Sequence, residues 1–233
     1  MDIIKKLAQE LTIKEEQAKA AVQLIDEGNT IPFIARYRKE MTGALNDETL
    51  RNLHERLLYL RNLEEKKEQV INAITEQGKM TDDLKKKILA AETLVAVDDL
   101  YRPYRPKKQT RATKAKEKGL EPLANILLLQ ATSKSMEEEA QSFVDEAKGV
   151  TNAKEALAGA KDIIAEMIAD KADYRKSIRN CTMKQGRLVV KAKDEKAESV
   201  YEMYYDFSEE LSKITGYRVL AINRRRKRKV SYG

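Results

Sequence analysis

The sequence is poor in the residues that usually anchor chemistry. It has one cysteine, Cys181, which excludes an internal disulfide and any multi-cysteine metal site. It has one histidine, His54, so a histidine-centred triad or a histidine metal cluster has nothing to build on. Tryptophan is absent, and there are only four prolines and nine glycines. No apolar run approaches the roughly 20 residues of a membrane span. The N-terminus, MDIIKKLAQEL, lacks the apolar core of a signal peptide. No GxxxxGK[ST] or GxGxxG phosphate-binding loop is present. Paired acids such as Asp82-Asp83 and Asp98-Asp99 fall at helix ends, where carboxylates cap or face water. These absences predict no catalytic residues, no cofactor, no metal, no membrane and no small-molecule substrate. The expected compartment is the cytoplasm.

What is present is helix-forming and heavily charged. Hydrophobic residues make up 42% and charged residues 36% of the chain. The net charge of +7 comes wholly from residues 217–233, which hold seven basic residues and no acid. Residues 1–216 then carry 38 basic and 38 acidic side chains. Any case for an anionic partner therefore rests on local patches.

Taken in order, residues 2–28 predict two helices, the second capped by Thr12 and stopped by Gly28. In TIPFIARYRKEMTGAL, Ile31, Ile34, Tyr37 and Met41 keep helical spacing, so Tyr37 is expected to be buried beside Ile34. Asn46 caps a long helix to Gln77 with Leu50, Leu53, Leu57, Leu60, Ile71 and Ile74 on one stripe; its polar middle, EEKKEQ, is expected to project into solvent. Gly78 closes it, and Thr81 caps the next helix. Residues 135–147 predict an acidic helix. Residues 152–184 predict a second long helix with Ala156, Ile163, Ile164, Met167, Ile168 and Tyr174 inward. Arg187–Ala192 alternate like a short strand, and a last helix starts near Thr215.

Residues 98–130 hold three of the four prolines and repeat Tyr-Arg-Pro. An extended polyproline II loop there would place Tyr101 and Tyr104 on one edge and Arg102 and Arg105 on another. From Arg102 to Lys118 there are eight basic residues and one acid. This strip, with Tyr101, Arg102, Tyr104, Arg105, Lys107, Lys108, Arg111 and Lys114 as its contact residues, is the candidate surface for phosphates and bases. Arg111–Lys118 and Pro122–Gln130, separated by Gly119, form a helix-turn-helix-like pair. The second of these, PLANILLLQ, is too apolar to read bases and is expected to be a core helix.

The blocks TIPFIARYRKEMTGAL (30–45), VDDLYRPYRPKKQTRATKAKEKGLEPLA (97–124), DIIAEMIAD (162–170) and RVLAINR (218–224) closely resemble the N-terminal region of the bacterial Tex family of transcription accessory proteins. The resemblance implies an all-α, multihelical scaffold with a helix-turn-helix-like element and at most one short strand or hairpin. It implies non-catalytic, sequence-independent binding of RNA or DNA in transcription; the alternative is a docking module for RNA polymerase or for other Tex domains. Family members continue into an RNase-H-like domain, a helix-hairpin-helix domain and an RNA-binding barrel. The expected organisation is a helical region at 1–97, the proline loop and helix pair at 98–130, and a second helical region at 131–224. At 225–233 a basic tail departs from the resemblance and reads as a truncation or a shift of reading frame.

Overall fold

The computed structural model describes residues 1–106, 108–130, 132–192, 200–227 and 231–232, with the backbone alone beyond Arg224. It is helical with one small sheet, as expected. The chain divides into two compact units, Met1–Pro106 and Lys107–Gly233.

The first unit is built on α4 (Asp47–Glu76), a 30-residue helix against which α1 (Ile3–Leu11), α2 (Glu15–Asp26), α3 (Ile31–Tyr37), α5 (Asp82–Ala90) and α6 (Leu94–Tyr101) pack. Its start is set by Asn46, whose side chain accepts the Thr49 N–H at 2.7 Å. Leu50, Leu53, Leu57, Leu60, Leu63, Val70 and Ile74 recur every three or four residues and are buried in the core. Arg56 and Arg61 reach from α4 to Glu10 and Asp26, each through two hydrogen bonds. Those bonds hold both carboxyls below the usual carboxylate range.

Three expectations for this unit fail. Thr12 ends α1 in the left-handed conformation, and Lys14 is the residue that starts α2. The EEKKEQ stretch does not project clear of the core: Glu65, Glu68 and Gln69 are exposed, but its other side is covered. Lys67 within it is buried, and its ammonium donates to Glu64 Oε1 at 2.8 Å and to the Leu89 carbonyl at 2.9 Å. That carbonyl belongs to the last turn of α5, where orphan acceptors and the helix dipole favour a cation. Tyr37 is not in the core: it is 65% exposed while Ile34 is fully buried. The helix ends at Tyr37, so the spacing through Met41 no longer describes one face.

In the second unit, α10 (Ala153–Ala169) is the centre, with α7 (Arg111–Glu117), α8 (Glu121–Leu129) and α9 (Met136–Gln141) packed on it. Ala112, Ala115, Ala124, Ala140, Ala156 and Ala160 fill most of this core. Small side chains let the backbones approach: a Cβ on Gly159 would lie 2.4 Å from Leu120 Cδ1 and 3.2 Å from Ala115 Cβ. The predicted 152–184 helix is two helices, α10 and α11 (Ala172–Gln185), broken at Asp170 and Lys171. Ala156 and Ile163 do face inward, but Met167, Ile168 and Tyr174 are exposed. The acidic helix is shorter than expected and gives way to a turn bridged between Asp145 and Val150. Beyond α11, β1 (Arg187–Ala192) pairs antiparallel with β2 (Asp206–Glu210), Val189 opposite Ser208, and with β3 (Ser231–Tyr232) on its other edge. Val190, Tyr204 and Ile222, the last on α12 (Gly216–Lys227), form a third, small core beside this sheet.

Candidate nucleic-acid interface

The boundary between the two units falls inside the basic strip, after Pro106, so each half has its own setting. In the first half the chain is not extended. Arg102–Tyr104 is a 3-10 turn continuing from α6, with the Arg102 N–H bonded back to the Asp98 carbonyl. Proline's fixed φ suits such a turn as well as it suits polyproline II. The consequence is that Tyr101 and Tyr104 pack against the first core, and the Tyr104 carbonyl accepts from Gln77 Nε2 at 3.0 Å. Arg105 lies 5.6 Å from the centre of the Tyr101 ring and 3.4 Å from Asp98 Oδ1. The two rings therefore serve the core, and the outward groups of this half are Arg102 and Arg105.

In the second half, Lys107 lies outside the described residues. Lys108, Arg111 and Lys114 are exposed. Thr110 orients them. Its hydroxyl oxygen accepts the Thr113 N–H at 3.0 Å, capping α7, and donates to Glu166 Oε1 at 3.1 Å. With Ala112 and Ala115 buried against α10, Arg111 and Lys114 stand outward, three apart on one face, and Lys116 and Glu117 are exposed in its last turn. Arg111 makes a loose 3.4 Å pair with Asp162. Lys116 pairs with Glu121, and Lys118 Nζ donates to the Gly149 carbonyl. Among the described residues Lys108 and Lys114 have no acidic partner. Among the described residues of this half the cationic face is Lys108, Arg111 and Lys114. Gly119, at φ +79°, turns the chain from α7 into α8. Leu123 and Ala124 of α8 are buried as expected of a core helix, but its last turn exposes Leu128 and Leu129.

A cationic group stands at the end of α3, around the Tyr37 that spacing assigned to the core. Arg36, Tyr37, Arg38 and Lys39 are all exposed. The dense Arg-Tyr-Arg-Lys run was its signal in the sequence, masked by Tyr37 falling at a helical interval from Ile34. His54 is half-buried on α4 and Cys181 is an exposed thiol on α11. Among the described residues, no group of histidine, cysteine and carboxylate side chains is arranged to hold a metal. No helix among them is long and apolar enough to cross a membrane.

Comparison with known proteins gives this architecture relatives. Residues 1–75 match the model of the Tex-like protein N-terminal domain, and residues 131–230 match the Tex central region-like model. The chain is 42% identical to the transcriptional accessory protein Tex of Neisseria gonorrhoeae, across 97% of this chain and 30% of that protein. It is 43% identical to the protein Tex of Bordetella pertussis, across 98% of this chain and 29% of the relative. The human S1 RNA-binding domain-containing protein 1 is 30% identical, across 96% of this chain and 23% of its own length. The chain thus spans less than a third of these relatives. With two Tex models covering most of its residues and the Tex proteins aligned along nearly all of it, the chain belongs to the Tex family and corresponds to that family's N-terminal and central regions.

Proposed function

We propose that this chain is a non-catalytic helical scaffold of a transcription accessory protein and contacts nucleic acid weakly, without sequence preference, through the α7 face. The observation that carries the reading is the placement of Lys108, Arg111 and Lys114. All three are exposed; Arg111 and Lys114 stand on a capped helix whose opposite side is fixed in the core, and Lys108 stands just before its cap. Such a face neutralises phosphates and releases counterions but presents nothing shaped to read bases. The printed names of the relatives, a transcriptional accessory protein and an S1 RNA-binding domain protein, support the same class of partner.

The test is a salt titration of binding to a duplex oligonucleotide. Replacing Lys108, Arg111 and Lys114 together with glutamine should weaken binding to all sequences alike and flatten the logarithmic salt slope by about two to three units. An unchanged slope overturns the reading. A second reading, docking to a protein partner, is favoured by one observation: Leu128 and Leu129 on α8, and Met167, Ile168, Tyr174 and Ile178 on α10 and α11, are exposed apolar side chains. Docking through them predicts association with transcription proteins that salt barely changes.

A further inference from the structure

The end of α3 carries a second group that the α7 reading does not use. Arg36, Arg38 and Lys39 form no ion pair among the described residues, whereas Arg51, Arg56, Arg61 and Arg105 of the same unit each have a carboxylate. Three neighbouring cations with no carboxylate at ion-pair distance leave a field directed at an outside anion. Beside them Tyr37 presents most of its ring to solvent. The ring is braced: Phe33 lies 5.3 Å away, tilted by 45°, and the Arg38 guanidinium sits 5.1 Å from the centre of the Phe33 ring.

The segment that follows is rigidly built. Thr42, fully buried, donates its hydroxyl toward the Arg38 and Lys39 carbonyls. The Ala44 N–H bonds the Lys39 carbonyl at 2.7 Å. Gln17 on α2 donates to the Thr42 and Gly43 carbonyls. Gly43 and Ala44 both adopt the left-handed conformation, and a Cβ on Gly43 would lie 2.7 Å from the Gln17 amide nitrogen. Left-handed φ at Ala44 costs on the order of 1 kcal/mol, so this loop is held by its surroundings rather than by local preference. Internal donors occupy the Ile34, Tyr37, Arg38 and Lys39 carbonyls at and just beyond the end of the helix.

Arg36, Tyr37, Arg38 and Lys39, with Leu24 and Met41, line an open hollow of about 690 Å³, well above the ~300 Å³ lower end of ligand sites. Glu27 and Glu40 complete its rim. We propose that this hollow binds single-stranded nucleic acid, with a base stacked on Tyr37 and the adjacent phosphates held by Arg36, Arg38 and Lys39. The mixed lining selects that occupant over an acidic peptide. Two carboxylates repel the acceptor-only side chains of an acidic peptide, but they accept hydrogen bonds from the exocyclic amines of unpaired bases. A duplex keeps its bases stacked and offers Tyr37 nothing.

The experiment is fluorescence anisotropy on the whole chain with a mixed-sequence single strand of 12 nucleotides, its duplex, and polyglutamate as competitor. Tyr37→Ala should weaken single-strand binding about tenfold and leave duplex binding unchanged, while Tyr37→Phe retains affinity. Replacing Arg36, Arg38 and Lys39 with glutamine should lower the single-strand salt slope by about two units. Circular dichroism should show all variants folded, since the replaced groups are exposed. The Tyr37 effect should persist in the α7 glutamine variant. If Tyr37→Ala binds single strands like the parent, or loses single strand and duplex equally, the proposal is overturned. It is also overturned if polyglutamate displaces the single strand at lower concentration than a nucleotide polymer of equal charge. Failure of the α7 reading looks different: its variant keeps its duplex salt slope while Tyr37→Ala still weakens the single strand.

Discussion

The two units bury their helices by opposite means. Around α4 the core is made of large aliphatic side chains, with Leu50, Leu53, Leu57, Leu60 and Leu63 all 1% exposed or less. Around α10 six of the ten buried core residues are alanines, and Gly159 cannot accept a side chain without displacing Leu120. In the first, stability resides in side-chain volume; in the second, it resides in how closely the backbones approach. The same difference governs the surfaces. Along the long helix of the first unit each of Arg51, Arg56, Arg61, Lys66 and Lys67 has a carboxylate partner, Arg56 and Arg61 through two hydrogen bonds each. The short α7 packs on α10 and, among the described residues, leaves Lys114 exposed without an acidic partner.

The contrast is broken most severely by removing volume from the first core. Leu57→Ala should cost about 3 kcal/mol, because a site enclosed on all sides by α4's neighbours collapses poorly around the cavity. Urea unfolding followed at the first unit checks it; a loss under about 1 kcal/mol would mean the leucine core is loosely packed. The complementary change adds volume to the second core. Ala160→Leu should destabilise the second unit by about 1–3 kcal/mol through overpacking at a fully buried position. If it is tolerated without a fall in melting temperature, the alanine core is not close-packed and the comparison fails.

Local signals and long-range partners explain which parts of this were legible in the sequence. Asn46, Thr81 and Gly78 act through groups within three or four residues, and all three do what their positions suggest. The leucine stripe of α4 repeats long enough to be read without its partners. Lys67 was unreadable because its acceptor, the Leu89 carbonyl, arrives from another helix. The break at Asp170 and Lys171 carries no glycine or proline to mark it. The Tyr-Arg-Pro repeat misled in a more specific way. A residue before proline avoids the helical region, yet Arg102 has φ −51° and ψ −42°. Packing of Tyr101 and Tyr104 against the first core accompanies that conformation and outweighs the local preference. The basic strip was visible as composition, but composition does not say which cations already have partners.

A smaller effect separates the arginine bridges from the core. Arg61→Ala should cost less than about 1 kcal/mol, because both partners in the Asp26 bridge are nearly half exposed. Its signature is pH dependence. Asp26 and Glu10 have folded-state pKa values depressed by their arginines, so their contribution is present above the unfolded value, about 4, and disappears as pH falls through the folded one. In Arg56→Ala/Arg61→Ala the drop in melting temperature between pH 7 and pH 3 should therefore be shallower than in the parent. An unchanged acid limb would show that the bridges do not contribute in solution.

The smallest expected effect is at Tyr37, and it sharpens the comparison because helical spacing alone assigns it a large one. A core tyrosine lost to alanine costs several kcal/mol, by the measure of other buried aromatics. Here the helix stops at Tyr37, the next residues turn back through Gly43 and Ala44, and the ring is left leaning on Phe33 at the surface. Tyr37→Ala should then shift the free energy of unfolding by no more than about 0.5 kcal/mol, the range of ordinary surface substitutions. Tyr204→Ala supplies the control, since that ring is 7% exposed, packs edge-on against Phe207 and belongs to the third core. It should cost about 3 kcal/mol or more. Equal melting shifts for the two variants would return Tyr37 to the core; a null at Tyr37 beside a large loss at Tyr204 places it where a ring contributes to recognition rather than to stability.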